Sequence, residues 1–441
     1  MTVVDGLRWA PAPARVDRPS VGPAPGGGTV PGDLPAWPVA LPLLLAPLWW
    51  VTGASLLVWV AVGVVGALLL LQRHDVVVPR VGAGLWALYL AWSLLTGTQV
   101  HSAPRLVGFG LRILLIAAAL VLLTYLVNVS ARRLPLRRAL RWLSAYWYLV
   151  VAGGWLGVLA PGWRAETLLH RVLPSSLASN DFADVLFSLN AAEVSHTASG
   201  TYFRPSAPFP YTNAWGSVFA LLLPCMLALL TLETGRTRRL LLVATMVLGI
   251  VPAFLTLNRM MFVSLGAGLL YAALRFAARG NLRALVSVFA VGVVAGLMTL
   301  VIPVFDLIAT RVDNSETNQA RAGLYQEAFV RVGASPWLGF GTPLPSERAY
   351  QTSVGTQGQV WAVLFSHGYP GLLLFVAFFA WAFWATRRSL STAALWLHVV
   401  TLVAAVQIGV YGFENQNMAL FTVALGLALR ERRARGPGST P

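Results

Sequence analysis

Five arginines in this sequence are the residues best suited to chemistry. Arg204 opens the run RPSAPFPYTNAWGSVFALLLP, Arg259 sits in the short turn LTLNRMMF, and Arg311 and Arg321 belong to a long polar stretch. Arg112 lies inside an apolar segment, a turn or two from its end. A guanidinium is planar, permanently charged and carries five donors, so several converging on one place would suit a diphosphate. A charge inside an apolar span costs at least about 2.5–3.5 kcal/mol on insertion scales, so Arg112 calls for a partner. Taken singly, each also reads as a contact with a lipid headgroup.

The polar stretch runs from about Asp306 to Gly371 and holds much of the charged chemistry of an otherwise apolar chain. Residues 318–333 read as a helix, with Asn314, Ser315 or Thr317 as N-caps and Gly333 as a stop. At about 100° per residue, Leu324, Tyr325, Ala328, Phe329 and Val332 share one face, and Arg321 lies in the middle of it. Glu327 and Arg331, spaced i,i+4, are expected to form a solvated surface bridge. In SPWLGFGTPLP, Pro336, Gly339, Gly341, Pro343 and Pro345 fix a tight backbone that either approaches a ligand or simply turns the chain. His367 and His398 fall inside helices and are expected to be hydrogen-bonded structural groups. No histidine pair has i,i+4 spacing and the acids have no ligand spacing, so no metal and no cofactor are expected.

These residues must be held by a membrane-embedded frame. Of 441 residues 57% are hydrophobic and only 11% charged, against about 25% charged in soluble domains. The expected fold class is all-α: a polytopic membrane protein of about 12 transmembrane helices with a large extracytoplasmic loop. The spans are read at 37–53, 54–72, 81–99, 106–128, 142–161, 212–232, 240–257, 260–277, 284–304, 358–384, 392–411 and 416–430. Residues 1–36, rich in Pro and Gly, read as a disordered cytoplasmic tail, and 431–441 as a basic one. Cys225, the single cysteine, reads as a packing residue. The chain has no lysine; arginines cluster at 132–141, 236–239, 275–283, 387–388 and 430–435. With twelve spans all of these fall on the side of the N-terminus, the positive-inside pattern. Both termini are therefore expected in the cytoplasm, with loops 162–211 and 305–357 outside. The net charge of +16 is then a topology and lipid-bilayer signal, and no nucleic acid is expected.

In this order the pieces resemble the O-antigen ligase and polymerase superfamily of bacterial membrane glycosyltransferases, over roughly residues 80–430. The resemblance rests on Arg204 followed by Pro210 and Asn213 leading into a helix, on the Asn258–Arg259 turn, and on Arg321 with Tyr325 followed by Pro336, Gly339 and Gly341. A helix ending Gly368-Tyr-Pro-Gly371 completes it. The resemblance implies a GT-C-like helical bundle in the bacterial inner membrane that works without a metal. It would take a glycan from an undecaprenyl-diphosphate carrier on the outer face and pass it to a saccharide or glycolipid acceptor. Arg204, Arg259 and Arg321 would grip the diphosphate and neutralise the leaving group, with Arg311 and Arg112 secondary and Asn213, Tyr325, Gly339 and Gly341 in the binding site. One departure stands out: where members of the superfamily commonly carry a histidine, this chain has Gln357. A glutamine orients a hydroxyl but is no general base, so a carboxylate such as Glu347 or Asp313 would assist, or positioning and electrostatics would suffice. A transporter or flippase of polyprenyl-linked or anionic substrates, and a non-catalytic scaffold, are the competing readings. Transporters place charge near the bilayer midplane, whereas these arginines gather near one face.

Overall fold

The computed structural model describes residues 33–172, 187–197, 200–283, 285–286, 288–290, 292–293, 316–348, 352–388, 391–413 and 416–434. Every element discussed belongs to the unit Leu34–Pro441. Among the described residues seven helices are long and apolar enough to cross a membrane: α4 (Arg80–Leu95, continued by a 3-10 turn to Gln99), α5 (Ala103–Asn128), α6 (Leu136–Leu159), α7 (Thr212–Leu232), α8 (Arg236–Leu255), α9 (Arg259–Ala277) and α11 (Gln359–Thr386). Two shorter apolar helices, α3 (Leu57–Leu71) and α12 (Thr392–Gln407), lie among them, and α13 (Gln416–Ala434) ends in arginines. This is a polytopic helical membrane protein.

Twelve separate spans are not what the described residues show. The expected span 37–53 is two short helices, α1 (Trp37–Leu44) and α2 (Ala46–Thr52), broken at Leu45. Pro47 has no amide hydrogen to carry the helix across that junction. The expected span 284–304 falls mostly outside the described residues. Elsewhere helices extend past their apolar cores: α6 and α8 begin at Leu136 and Arg236, not 142 and 240, because arginine is a good helix former beyond the lipid. Nor is the fold purely helical. Within the loop after α6, β1 (Arg164–Glu166) pairs antiparallel with β2 (Ser188–Asn190), and β3 (Ala192–Thr197) with β4 (Gly200–Pro205). A long loop must satisfy its own backbone, and short ladders do so where no helical period exists.

The hub is α7, buried without interruption from Trp215 to Leu229, Cys225 included. It packs against α6, α8, α9, α12 and α13, while α5 joins α3, α4 and α13, and α11 lies on α4. A helix buried on every side is apolar all round; the exception here is instructive. Ser217 Oγ donates to Gln407 Oε1 at 2.7 Å and accepts from Asn417 Nδ2 at 3.0 Å, and Gln407 Nε2 donates to Ser264 Oγ at 3.1 Å. One polar network thus joins α7, α9, α12 and α13.

Helix-end contacts define two ends of the bundle. At one, Arg141 at the start of α6 forms a bidentate pair with Glu233, just past α7, at 2.5 and 2.9 Å. There Arg430 donates to the carbonyls of Val129 and Leu134, Arg275 to that of Arg387, and Arg432 to that of Ala385. The arginine clusters of the sequence therefore meet at a common end. The opposite end carries the loops.

Candidate functional site

The loop end is built from four pieces of chain. The first is β4 and the start of α7. Register sets Arg204 opposite Glu193 on β3, with 3.8 Å between Arg204 Nη1 and Glu193 Oε1. Arg204 is only 4% exposed, and its Nε donates to the Thr256 carbonyl at 2.8 Å. Thr212 closes the motif, donating its hydroxyl to the carbonyls of Arg204 and Pro205 while its amide donates to Glu193 Oε2. Glu193 thus both faces a buried guanidinium and caps a helix N-terminus, where an anion is favoured. Asn213, the next residue, is half-buried. The Tyr211 hydroxyl is held above its ordinary range by burial and by the Glu193 charge.

The second piece is the turn from α8 to α9. Three residues, Thr256, Leu257 and Asn258, separate two membrane helices, and Leu257 takes φ +50°, a left-handed conformation that costs a non-glycine residue about 1–2 kcal/mol. Asn258 is buried and directs Nδ2 at the Thr212 carbonyl, 3.4 Å away. Arg259 opens α9, half-buried, with no carboxylate partner among the described residues.

The third piece is α10 (Glu316–Val332) and the loop behind it. Leu324 and Ala328 pack with Val354 and Phe365, as the helical period predicts, but Phe329 is exposed and does not join that face. Glu327, on the opposite flank of that face, is buried and is not a solvated surface residue. Its carboxylate accepts from Arg331 Nη1 (3.1 Å), the Glu347 amide (2.9 Å) and Ser346 Oγ (2.6 Å). Burial opposes the charge, but these hydrogen bonds outweigh it and hold the Glu327 carboxyl below its ordinary range. The i,i+4 spacing was right about the pair; what it could not show was residues 345–347 folding back over it. Glu347 itself is mostly exposed, 3.6 Å from Arg331 Nε. Arg321 is half-buried, one turn before Tyr325, and has no carboxylate partner among the described residues. Tyr325 stacks on Trp361 with ring centroids 4.8 Å apart and planes 11° from parallel. Arg311 and Asp313 lie outside the described residues.

The fourth piece is the start of α11 against the turn between α12 and α13. The amides of Gln359 and Val360 donate to the carbonyls of Tyr411 (2.8 Å) and Ile408 (2.9 Å), and Phe413 N donates to Gln359 Oε1 (2.6 Å). Gln357 is half-buried just before this junction, with Gly358 at φ +70° between. Tyr411 is 3% exposed and is an electrostatic neighbour of both Arg204 and Arg321. Arg204, the Asn258–Arg259 turn, Arg321 with Tyr325, and the Gln357 region thus gather at one end.

The glycine motif has a structural account. α11 is kinked at Gly368, whose φ is +66° and ψ −171°, and Pro370 lacks an amide hydrogen. The carbonyls of Phe365 and Ser366 therefore lose helical partners and accept instead from the amides of Phe340 (2.9 Å) and Gly341 (2.8 Å), while Tyr369 N donates to the Pro336 carbonyl (2.9 Å). A Cβ on Gly339 would stand 2.5 Å from the Phe365 carbonyl oxygen. The loop 336–341 is thus seated in the kink. Arg105 fastens it, donating to Thr342 Oγ1 (2.7 Å) and the Phe340 carbonyl (2.8 Å). The close approach expected of Gly339 and Gly341 is made to α11 and to the 3-10 turn after α4.

Arg112 is an electrostatic neighbour of His367, whose Nδ1 is 2.8 Å from Thr96 Oγ1. His398 sits between Tyr271 Oη (2.8 Å) and Thr386 Oγ1 (2.7 Å), so both helix-borne histidines are hydrogen-bonded. Among the described residues no cluster of three or more His, Cys, Asp or Glu could hold a metal. Residues that the sequence did not single out are Glu193 as a partner, Thr212, and Tyr411. The signal for Tyr411 was there: YGFENQN is a polar interruption between two apolar helices.

Fold and site together define a multi-pass helical membrane protein with a cationic, hydroxyl-lined end. Residues 244–376 match the family model for O-antigen ligase, and over that stretch the likeness to the O-antigen ligase superfamily is shown. The match takes in Arg259, Arg321, Tyr325, the loop 336–341, Gln357 and the kink; Arg204, Asn213 and Tyr411 lie outside it. No curated protein matches the chain.

Proposed function

We propose that the chain is a glycosyltransferase of ligase or polymerase type in cell-envelope or exopolysaccharide synthesis. It would transfer a glycan from an undecaprenyl-diphosphate carrier to a saccharide or glycolipid acceptor at the outer face of the inner membrane, as a GT-C-like bundle. The observation that carries this reading is the pair Arg259 and Arg321, half-buried guanidiniums with no carboxylate partner among the described residues, at the end that also holds Arg204. A partly buried guanidinium without a counter-ion is stabilised when an anion arrives to hydrogen-bond it. A lipid diphosphate leaving group is such an anion, and neutralising its growing charge is the main physical requirement of the step. In this reading Arg204, fixed by Glu193 and Thr256, sets the field; Arg321 and Arg259 bind oxygen; Gln357 orients the acceptor hydroxyl. Arg311, Asn213 and Tyr325 line the site, and Arg112 plays its part from a distance. Glu347, tied to Arg331, would reach the acceptor only if the 345–348 loop shifted. The arginine-cluster end then faces the cytoplasm with both termini, by the positive-inside rule.

The test is purified protein with an undecaprenyl-diphosphate oligosaccharide, read by mass spectrometry. A ladder of repeats on the carrier identifies a polymerase, and a single transfer that needs a separate acceptor identifies a ligase. No transfer to any acceptor, with intact lipid binding, favours the transporter or scaffold.

A further inference from the structure

Two buried hydroxyls at this end have no hydrogen-bond partner among the described residues: Tyr411 Oη and Tyr325 Oη. Tyr411 is the sharper case, with its whole side chain out of solvent. Its backbone is fully used, the carbonyl accepting from Gln359 N and the amide donating to the Gln407 carbonyl at 2.9 Å, which anchors its main chain at the turn. The Met261 amide lies close to the phenol, but it already donates to the Asn258 carbonyl at 3.1 Å, and as a donor it gives the phenolic proton nothing to bond. A buried hydroxyl without an acceptor is destabilising, and such groups are retained where something else completes them. The charges facing Tyr411 are both cationic: Arg204 from β4 and Arg321 from α10. Burial raises its pKa well above the ordinary tyrosine range despite those charges, so the group remains a donor at neutral pH.

We propose that the Tyr411 hydroxyl is a substrate-binding donor, giving its hydrogen bond to a phosphate oxygen of the lipid-linked substrate held between Arg204 and Arg321. This rests on the glycosyltransferase reading above and adds a residue outside the matched stretch. A phosphate oxygen carries negative charge that two guanidiniums favour, and a charged acceptor makes this hydrogen bond stronger than a neutral one. Tyr325, stacked on Trp361 one turn from Arg321, carries the second buried hydroxyl of this end.

The experiment uses the full chain in lipid nanodiscs and undecaprenyl diphosphate as probe, with Tyr411→Phe, Arg321→Ala and Arg259→Ala beside the wild type. Tyr411→Phe removes a hydroxyl whose proton has no acceptor among the described residues. Its thermal midpoint should therefore match or exceed that of the wild type, while binding of the probe weakens about 10-fold. A midpoint several degrees lower would make the hydroxyl structural and overturn the proposal. Wild-type affinity in Tyr411→Phe, with both arginine variants weakened, would overturn the tyrosine's role and leave the glycosyltransferase reading standing. Wild-type affinity in all three would bring down both.

Discussion

The arginines that look alike in the sequence are not alike in their surroundings, and mutation should separate them. Arg204 is buried and satisfies the Thr256 carbonyl, so Arg204→Ala leaves an orphaned acceptor and an unopposed Glu193. It should destabilise the protein by about 1–3 kcal/mol, seen as a lower thermal midpoint, as well as stopping transfer. Arg321→Ala loses no carboxylate partner and should stay within about 0.5 kcal/mol of wild type. Glu327 offers a pH test. Its folded pKa is depressed, so its contribution is complete above the unfolded value near 4.5 and is lost as pH falls through the lower, folded value. Proteolysis of the 345–348 loop should thus be slow at neutral pH and rise only under acid, while Glu327→Gln should be cleaved faster already at pH 7. Equal cleavage of the variant and wild type at pH 7 would remove the carboxylate from that role. At this scale the sequence was partly legible. The i,i+4 spacing gave the Glu327–Arg331 pair and the helical period gave Leu324 and Ala328, both local properties. Burial of Glu327 came from residues twenty positions away, which no local period encodes.

At the scale of elements, two motifs that read as separate are one joint. The loop 336–341 supplies the hydrogen bonds that the kink at Gly368 and Pro370 takes away from α11. Gly339→Ala would set a methyl against the Phe365 carbonyl in a backbone with φ +63°, straining both partners. The expected result is a several-fold drop in folded protein in the membrane, by fluorescence-detected chromatography, and not merely a slower enzyme. Normal abundance with lost activity would point instead to a ligand contact. Proline and glycine announced irregular backbone in both stretches; that each is the other's partner is a tertiary fact. The β-pairs of the loop after α6 were missed for a related reason, since strands of three to six residues carry too little alternation to stand out.

For the whole molecule, composition was decisive: the apolar content of the chain announced a polytopic helical protein, and arginine clusters separated in sequence do meet at one end of the bundle. The span count was less legible, because α1 and α2 break an apolar run that hydropathy reads as continuous. Sidedness is testable through the single buried cysteine, Cys225, which leaves a quiet background for labelling. In intact cells a membrane-impermeant maleimide should label Thr356→Cys at the loop end and spare Arg236→Cys; the reverse pattern would invert the topology. The most direct test of the central claim is the transfer rate of Arg321→Ala, at matched membrane abundance, with the undecaprenyl-diphosphate oligosaccharide. If a partnerless guanidinium stabilises the leaving diphosphate, the rate should fall at least about 100-fold while the thermal midpoint stays put. A wild-type rate would contradict the account.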